Sequence, residues 1–173
     1  MRKLRKKWVR PFKRWDKRRI IEERRLMKLY GLKNKKELWR AQAELRRIRA
    51  FARKLLPLSG PEREKGEKEL LGRLYRLGLL PEKATLDDVL SLTTQDILER
   101  RLQTMVWRRG LARTVKQARQ FIVHGHVYVG GVRIRSPSYW VRRGEENQII
   151  LDPRIYDYVR FSGQESGKKE VAA

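Results

Sequence analysis

Leu38, Ala41, Leu45, Ile48, Ala52 and Leu55 recur at alternating intervals of three and four residues. That is the spacing of one face of an α-helix, and it draws an apolar seam roughly 30 Å long. Arg40, Arg46, Arg47, Arg49, Arg53 and Lys54 fall on the other faces of the same segment. A solvated surface helix is one reading of such a pattern. Cations this dense, with few acids to pair them, favour a surface turned towards phosphate.

The rest of the chain repeats that bias. Its 173 residues carry a formal net charge of +24 and a pI near 11.0, so the folded molecule repels itself unless a polyanion neutralises it. The excess is not evenly spread. Residues 1–60 hold 23 Lys/Arg against 5 Asp/Glu, residues 61–99 hold 6 against 9, and residues 100–143 hold 11 against none. Two basic blocks flanking a mildly acidic spacer imply contact with the polyanion at two surfaces. Nucleic acid is the obvious partner. A membrane is the rival, but no apolar run approaches the roughly 20 residues needed to span one, and no apolar stretch follows the basic Met1–Lys7 to make a secretory signal. A cytoplasmic location is expected. Cysteine is absent, which removes disulfides, thiolate metal sites and thiol nucleophiles together.

Along the chain, residues 1–15 mix Lys/Arg with Trp8, Phe12 and Trp15 without apolar periodicity, and read as an extended arm that orders on its partner. Asp16 caps a helix that stops at Gly31, and Asn34 starts the helix bearing the seam. Pro61 opens a third helix running to about Leu77, with Leu70, Leu71, Leu74 and Leu77 as its core side. Thr85 and Thr93, each followed three residues on by Asp, start two more. The second is expected to run to about Arg109, with Leu98, Leu102, Met105 and Val106 on one face. Thr114 begins a helix with Val115, Ala118, Phe121 and Ile122 inward and Gly125 at its end.

The period then changes. Val127 to Val129 and Val132 to Arg135, joined by Gly130-Gly131, form a hairpin in which Val127, Val129, Val132 and Ile134 share one face. Gln148 to Leu151 gives a further strand. The fold class is therefore α+β: a mostly helical N-terminal region, then a small domain of two short helices packed on a β-hairpin and further short strands. The expected divisions are an arm over 1–15, a helical domain over 16–99, an RNA-binding domain over 100–155 and a tail over 156–173.

On the helix after Thr114, Lys116, Gln120 and His124 are spaced by four, with Arg113, Gln117 and Arg119 beside them. Arginine offers bidentate forks to phosphate, and a helix N-terminus adds N–H groups and a favourable dipole. His124 and His126 could suggest a metal pair or general base, yet no acid between Arg100 and Arg143 stands ready to orient an imidazole. RNA or structural hydrogen bonding accounts for them better. Asp87-Asp88 could mimic catalytic carboxylates, but acids at a helix start need no active site. Trp39 and Trp107 lie in amphipathic helices and read as packing residues, whereas Trp8 and Trp15 are open to RNA.

The runs Glu99-Arg100-Arg101-Leu102-Gln103-Thr104, Gly110-Leu111-Ala112, Gln117-Ala118-Arg119, His124-Gly125-His126-Val127 and Ser136-Pro137-Ser138 resemble the S-four RNA-binding domain. Tyr30 to Trp39 and Leu45 to Arg49 resemble the N-terminal part of the archaeal and eukaryotic branch of the small-subunit ribosomal protein S-four family. The resemblance covers roughly residues 10–155. It implies a non-enzymatic constituent of the small ribosomal subunit that binds small-subunit rRNA at a 5′-domain junction, acts early in assembly and supports translational accuracy beside protein S-five. Bacterial relatives often carry a cysteine-based zinc knuckle, so with no cysteine here no metal or other cofactor is expected, nor a small-molecule substrate. Where relatives often have Asn-Gly at the hairpin turn, Gly130-Gly131 stands. The alternatives are a free RNA-binding regulator or ribosome-associated RNA chaperone, and an RNA-modifying enzyme docked by this domain.

The residues expected to touch RNA are Arg2, Lys3, Arg5, Lys6, Lys7, Arg10, Lys13 and Arg14 in the arm, and Arg40, Arg46, Arg47, Arg49 and Arg53 on the seam helix. To these are added Arg108, Arg109, Arg113, Thr114, Lys116, Gln117, Arg119, Gln120, His124, His126, Arg133 and Arg135.

Overall fold

The computed structural model describes residues 7–155 and divides into two compact units, the first ending at Arg100 and the second beginning at Arg101. Arg2, Lys3, Arg5 and Lys6 and the tail 156–173 lie outside the described residues.

In the first unit, α1 (Lys17–Leu29) begins where the Asp16 carboxylate accepts the N–H groups of Arg18 and Arg19. It ends at Tyr30, after which Gly31 takes a positive φ of 55°. α2 (Lys35–Leu55), capped by Asn34, is the hub: α1, α3 (Pro61–Arg76), α4 (Leu86–Ser91) and α5 (Thr94–Glu99) all pack on it. All six seam residues are buried, and Ala43, off the seam, is buried as well. Small side chains let neighbouring helices approach more than one side of α2. On α3 only Leu70 and Leu74 are buried. Leu71 and Leu77, expected in the core, are half-exposed. Leu71 is turned about 100° off the stripe of Leu70 and Leu74 that reaches the core, and Leu77 is the cap residue just past the last turn of α3. α4 and α5 each start with a reciprocal cap in which Asp88 accepts from Thr85 and Asp96 from Thr93. Asp88 is thereby engaged in holding a helix end.

The long helix expected from Thr94 to Arg109 does not form. α5 stops at Glu99, Arg101 is extended at φ −77° and ψ 141°, and α6 (Leu102–Arg108) starts afresh. The cause lies far along the chain. Arg101 bridges to Trp140, the Leu102 N–H donates to the Tyr139 carbonyl at 2.8 Å, and the Gln103 N–H reaches the Pro137 carbonyl at 3.4 Å. Backbone donors that would have continued the helix are spent on the 137–140 segment.

The second unit continues with α7 (Val115–His124), β1 (Val127–Val129), β2 (Val132–Arg133) and, after a 3-10 turn over Glu146–Gln148, β3 (Ile149–Leu151). The sheet is antiparallel in the order β2-β1-β3, with Tyr128 opposite both Arg133 and Ile150. Gln148 belongs to the 3-10 turn rather than to the strand. Val127, Val129, Ile149 and Leu151 meet Leu102, Val106, Ala118 and Ile122 in one core. Val132, expected to share a face with Val127 and Val129, is 65% exposed and Ile134 only partly buried, because β2 is the outer strand and Val132 sits beside the turn. The fold is α+β.

Candidate nucleic-acid interface

α7 owes its orientation to its apolar side. Ala118, Phe121 and Ile122 are buried, so the opposite side, with Lys116, Gln120, Val123 and His124, is left exposed. Lys116, Gln120 and His124 fall on one stripe at helical spacing, and Arg113 lies exposed just before the helix. Val123, 52% exposed on this surface, was not among the expected contacts. Two N–H groups at the start of α7 already have partners: Gln117 donates to Thr114 Oγ1 at 3.1 Å, and Arg113 donates to Gln117 Oε1 at 2.8 Å. Thr114 and Gln117 therefore shape the helix start, leaving fewer N–H groups there for an anion than expected.

Several expected contact residues have structural duties. Arg119 is half-buried, and its guanidinium lies 3.4 Å from Gln103 Oε1 of a side chain only 1% exposed. Arg109 donates to the carbonyls of Glu146 and Ile149, tying α6 to β3. Arg133 donates to the carbonyls of Gly125 and His124, closing the end of α7. Arg108 lies over the Trp107 ring at 4.8 Å yet remains exposed. Arg135 is exposed and, with Arg133, Ile134 and Tyr139, lines an open groove beside the hairpin. The Tyr139 hydroxyl donates to Glu145 at 3.1 Å, and burial, then that bond, raises its pKa.

His124 and His126 stand as near-parallel rings with centroids 6.3 Å apart. An acid from beyond the acid-free interval approaches one of them. Asp152, delivered by β3, comes to 3.9 Å from His126 Nδ1. Among the described residues no group of three or more His, Cys, Asp and Glu side chains is placed to hold a metal.

In the first unit, Arg40, Arg46, Arg47 and Arg53 are exposed on α2, although Arg47 pairs with Glu44 at 2.9 Å. Arg49 is half-buried and donates to the Leu92 carbonyl, so it braces α2 against the end of α4. Lys7, Arg10, Lys13 and Arg14 are exposed. The arm does bury something: Trp8 packs on Trp39 at 5.8 Å, with Arg10 and Lys36 over its ring. Trp39 packs as expected and donates its indole N–H to Glu23 at 3.0 Å. Burial alone would raise the Glu23 carboxyl, but the Trp39, Lys35 and Arg19 donors outweigh it and hold its pKa below the ordinary value. Exposed Arg18, Arg24, Arg25 and Lys28 on α1 were missed as candidates, and only their charge marks them.

A model of the ribosomal protein S4/S9 N-terminal domain matches residues 2–99, and a model of the S4 domain matches residues 100–147. The chain belongs to the ribosomal protein S4 family. Among its relatives, the small ribosomal subunit protein uS4 of Ignicoccus hospitalis is 58% identical over 152 residues, covering 88% of this chain and 92% of its own. That of Hyperthermus butylicus is 50% identical over 99% of this chain and 97% of its own, and that of Methanothermobacter thermautotrophicus 53% identical over 88% and 89%. The S4 domain match begins at Arg100, one residue before the second compact unit, and takes in α6, α7 and the hairpin. It is the S4 domain that carries the exposed stripe of α7. No helix among the described residues is long and apolar enough to cross a membrane.

Proposed function

We propose that this chain is a structural constituent of the small ribosomal subunit that binds small-subunit rRNA directly, without catalysing a reaction. The observation that carries the reading is the exposed stripe Lys116, Gln120 and His124, with Arg113 before it, on a unit whose residues 101–143 contain no acid. Phosphate contacts from such a stripe need no particular base sequence, and register would come from the shape of a folded RNA. The exposed cations of α2, Arg40, Arg46 and Arg53, supply the second surface. Names and similarity of the relatives support placement in the ribosome, hence in the cytoplasm. Our reading further assigns an early place in subunit assembly, at a 5′-domain junction beside protein S-five, and a contribution to decoding accuracy. On it, residues 1–15 serve as an arm, 16–99 as a helical domain and 100–155 as the RNA-binding domain.

The test is co-sedimentation with small subunits through a high-salt cushion. An integral component stays with the subunit, whereas a free regulator or RNA chaperone leaves it, because loosely held phosphate contacts dissolve as counterions compete. In filter binding to a transcript of the 5′ domain, Arg113→Ala with Lys116→Ala should weaken binding. The slope of log K against log salt should fall by roughly 0.7–0.9 per lost contact. Unchanged affinity and slope would defeat the assignment.

A further inference from the structure

We infer that Phe12 and Trp15 form a stacking site for unpaired RNA bases, an inference that rests on the RNA-binding reading above and extends it to a surface outside the S4 domain. Phe12 is 99% and Trp15 90% exposed, the two most solvent-open large apolar side chains described. Their backbone is nonetheless pinned on both sides. Upstream, Trp8 packs on Trp39. Within the segment, the Arg19 guanidinium donates to the carbonyls of Lys13 and Arg14, at 2.9 Å each, while also pairing with Glu23. Glu23, only 2% exposed, accepts in turn from Trp39 and lies 3.1 Å from Lys35 Nζ. One buried carboxylate thus joins the two anchors. Two aromatic rings are presented to water from a backbone tethered on both sides, which lowers the ordering cost left for a ligand to meet.

Charge identifies the ligand. Arg10, Lys13, Arg14, Lys17 and Arg18 flank the two aromatic residues along the chain and are all exposed. The lone acid of residues 1–21, Asp16, turns its carboxylate onto the N–H groups that start α1. A partner must therefore be polyanionic and must offer flat faces at a spacing that two planar side chains can use. An acidic protein surface meets the first requirement and gives no reason for the second. RNA meets both, and only where its bases are unpaired, since a duplex hides their faces.

The full chain carrying Phe12→Leu and Trp15→Leu keeps its charge and apolar bulk but loses both rings. Binding is measured to three probes: a twelve-residue oligoadenylate, an RNA hairpin duplex of similar charge, and heparin. Stacking predicts a loss of roughly tenfold or more on oligoadenylate with heparin and duplex nearly unchanged, because base–aromatic stacking contributes on that order per base. Phe12→Tyr with Trp15→Phe should restore the wild-type value, which separates stacking from any effect on folding. Equal losses on all three probes, no loss on oligoadenylate, or no oligoadenylate binding by the unaltered chain would each overturn the site. Because this measurement uses no ribosomes, it stands apart from the co-sedimentation result: the chain could leave the subunit and still show the stacking signature, or the reverse.

Discussion

Arg133 closes α7 by donating through its guanidinium to the carbonyl of Gly125, the residue that ends the helix in the left-handed region at φ 79° and ψ 32°. The two positions are sterically linked. A Cβ on residue 125 would displace the Arg133 guanidinium, the mobile end of a long side chain, so the left-handed backbone sets the main cost and the loss of the guanidinium's contacts adds to it. Gly125→Ala should therefore cost about 1–2 kcal/mol from the left-handed backbone alone, more with the displaced guanidinium. Arg133→Ala should cost about 1 kcal/mol through the orphaned carbonyls. Urea unfolding of the full chain reads both, and a Gly125→Ala midpoint equal to wild type would contradict the linkage.

Arg119 and Lys116 occupy the same helix but should behave differently. Arg119→Ala takes a guanidinium from beside buried Gln103, so thermal stability falls together with RNA affinity. Lys116→Ala alters an exposed side chain and should lower affinity at constant melting temperature. Identical stability of the two variants would show that the Gln103 contact contributes nothing.

The glutamates of α3 offer a control of opposite sign. Glu62 and Glu64 are exposed, and Glu67 makes only a 3.9 Å contact with Arg63. On the proposed reading acidic side chains avoid phosphate, so reversing Glu62, Glu64 and Glu67 to lysine should leave specific rRNA affinity little changed and raise non-specific binding. Protection of this helix by rRNA in footprinting, with residues 101–143 left open, would invert the assignment.

Glu23 predicts an acid-labile first unit. Its folded pKa lies below the ordinary value of 4.5, so the ionised form contributes stability that is complete above that value and is lost as pH falls through the lowered folded pKa. Glu23→Gln should unfold at lower denaturant concentration at pH 7 and show a smaller drop in stability below pH 4.5 than wild type. Parallel pH profiles for the two proteins would exclude Glu23 as the source.

How far such features could be read in advance depended on the range over which their causes act. The α2 seam was legible because every residue in it is set by its neighbours three and four positions away, and the caps at Asp16, Thr85, Thr93 and Thr114 because a cap is local chemistry. The break at Arg101 was not, since Leu98, Leu102, Met105 and Val106 keep helical spacing across it and the competing partners lie at Pro137, Tyr139 and Trp140. The approach of Asp152 to His126 was missed for the same reason. Among the arginines, composition marked the candidates but did not distinguish Arg113, exposed before α7, from Arg109 or Arg133, whose guanidinium groups hold carbonyls.

The carboxylates that cap helices and anchor side chains have a consequence for the whole particle. Asp16, Asp88 and Asp96 face helix ends, Glu23 faces Trp39, and Glu99 accepts from Tyr30 at 2.9 Å, so these acids do internal work. They shield little of the outward cationic surface. Ionic strength then acts on two equilibria with opposite sign: added salt relieves crowding among like charges and favours the folded chain, while the same salt displaces it from RNA. Reconstitution should accordingly succeed best at an intermediate salt concentration, where the protein is already folded and the nucleic acid has not yet let go.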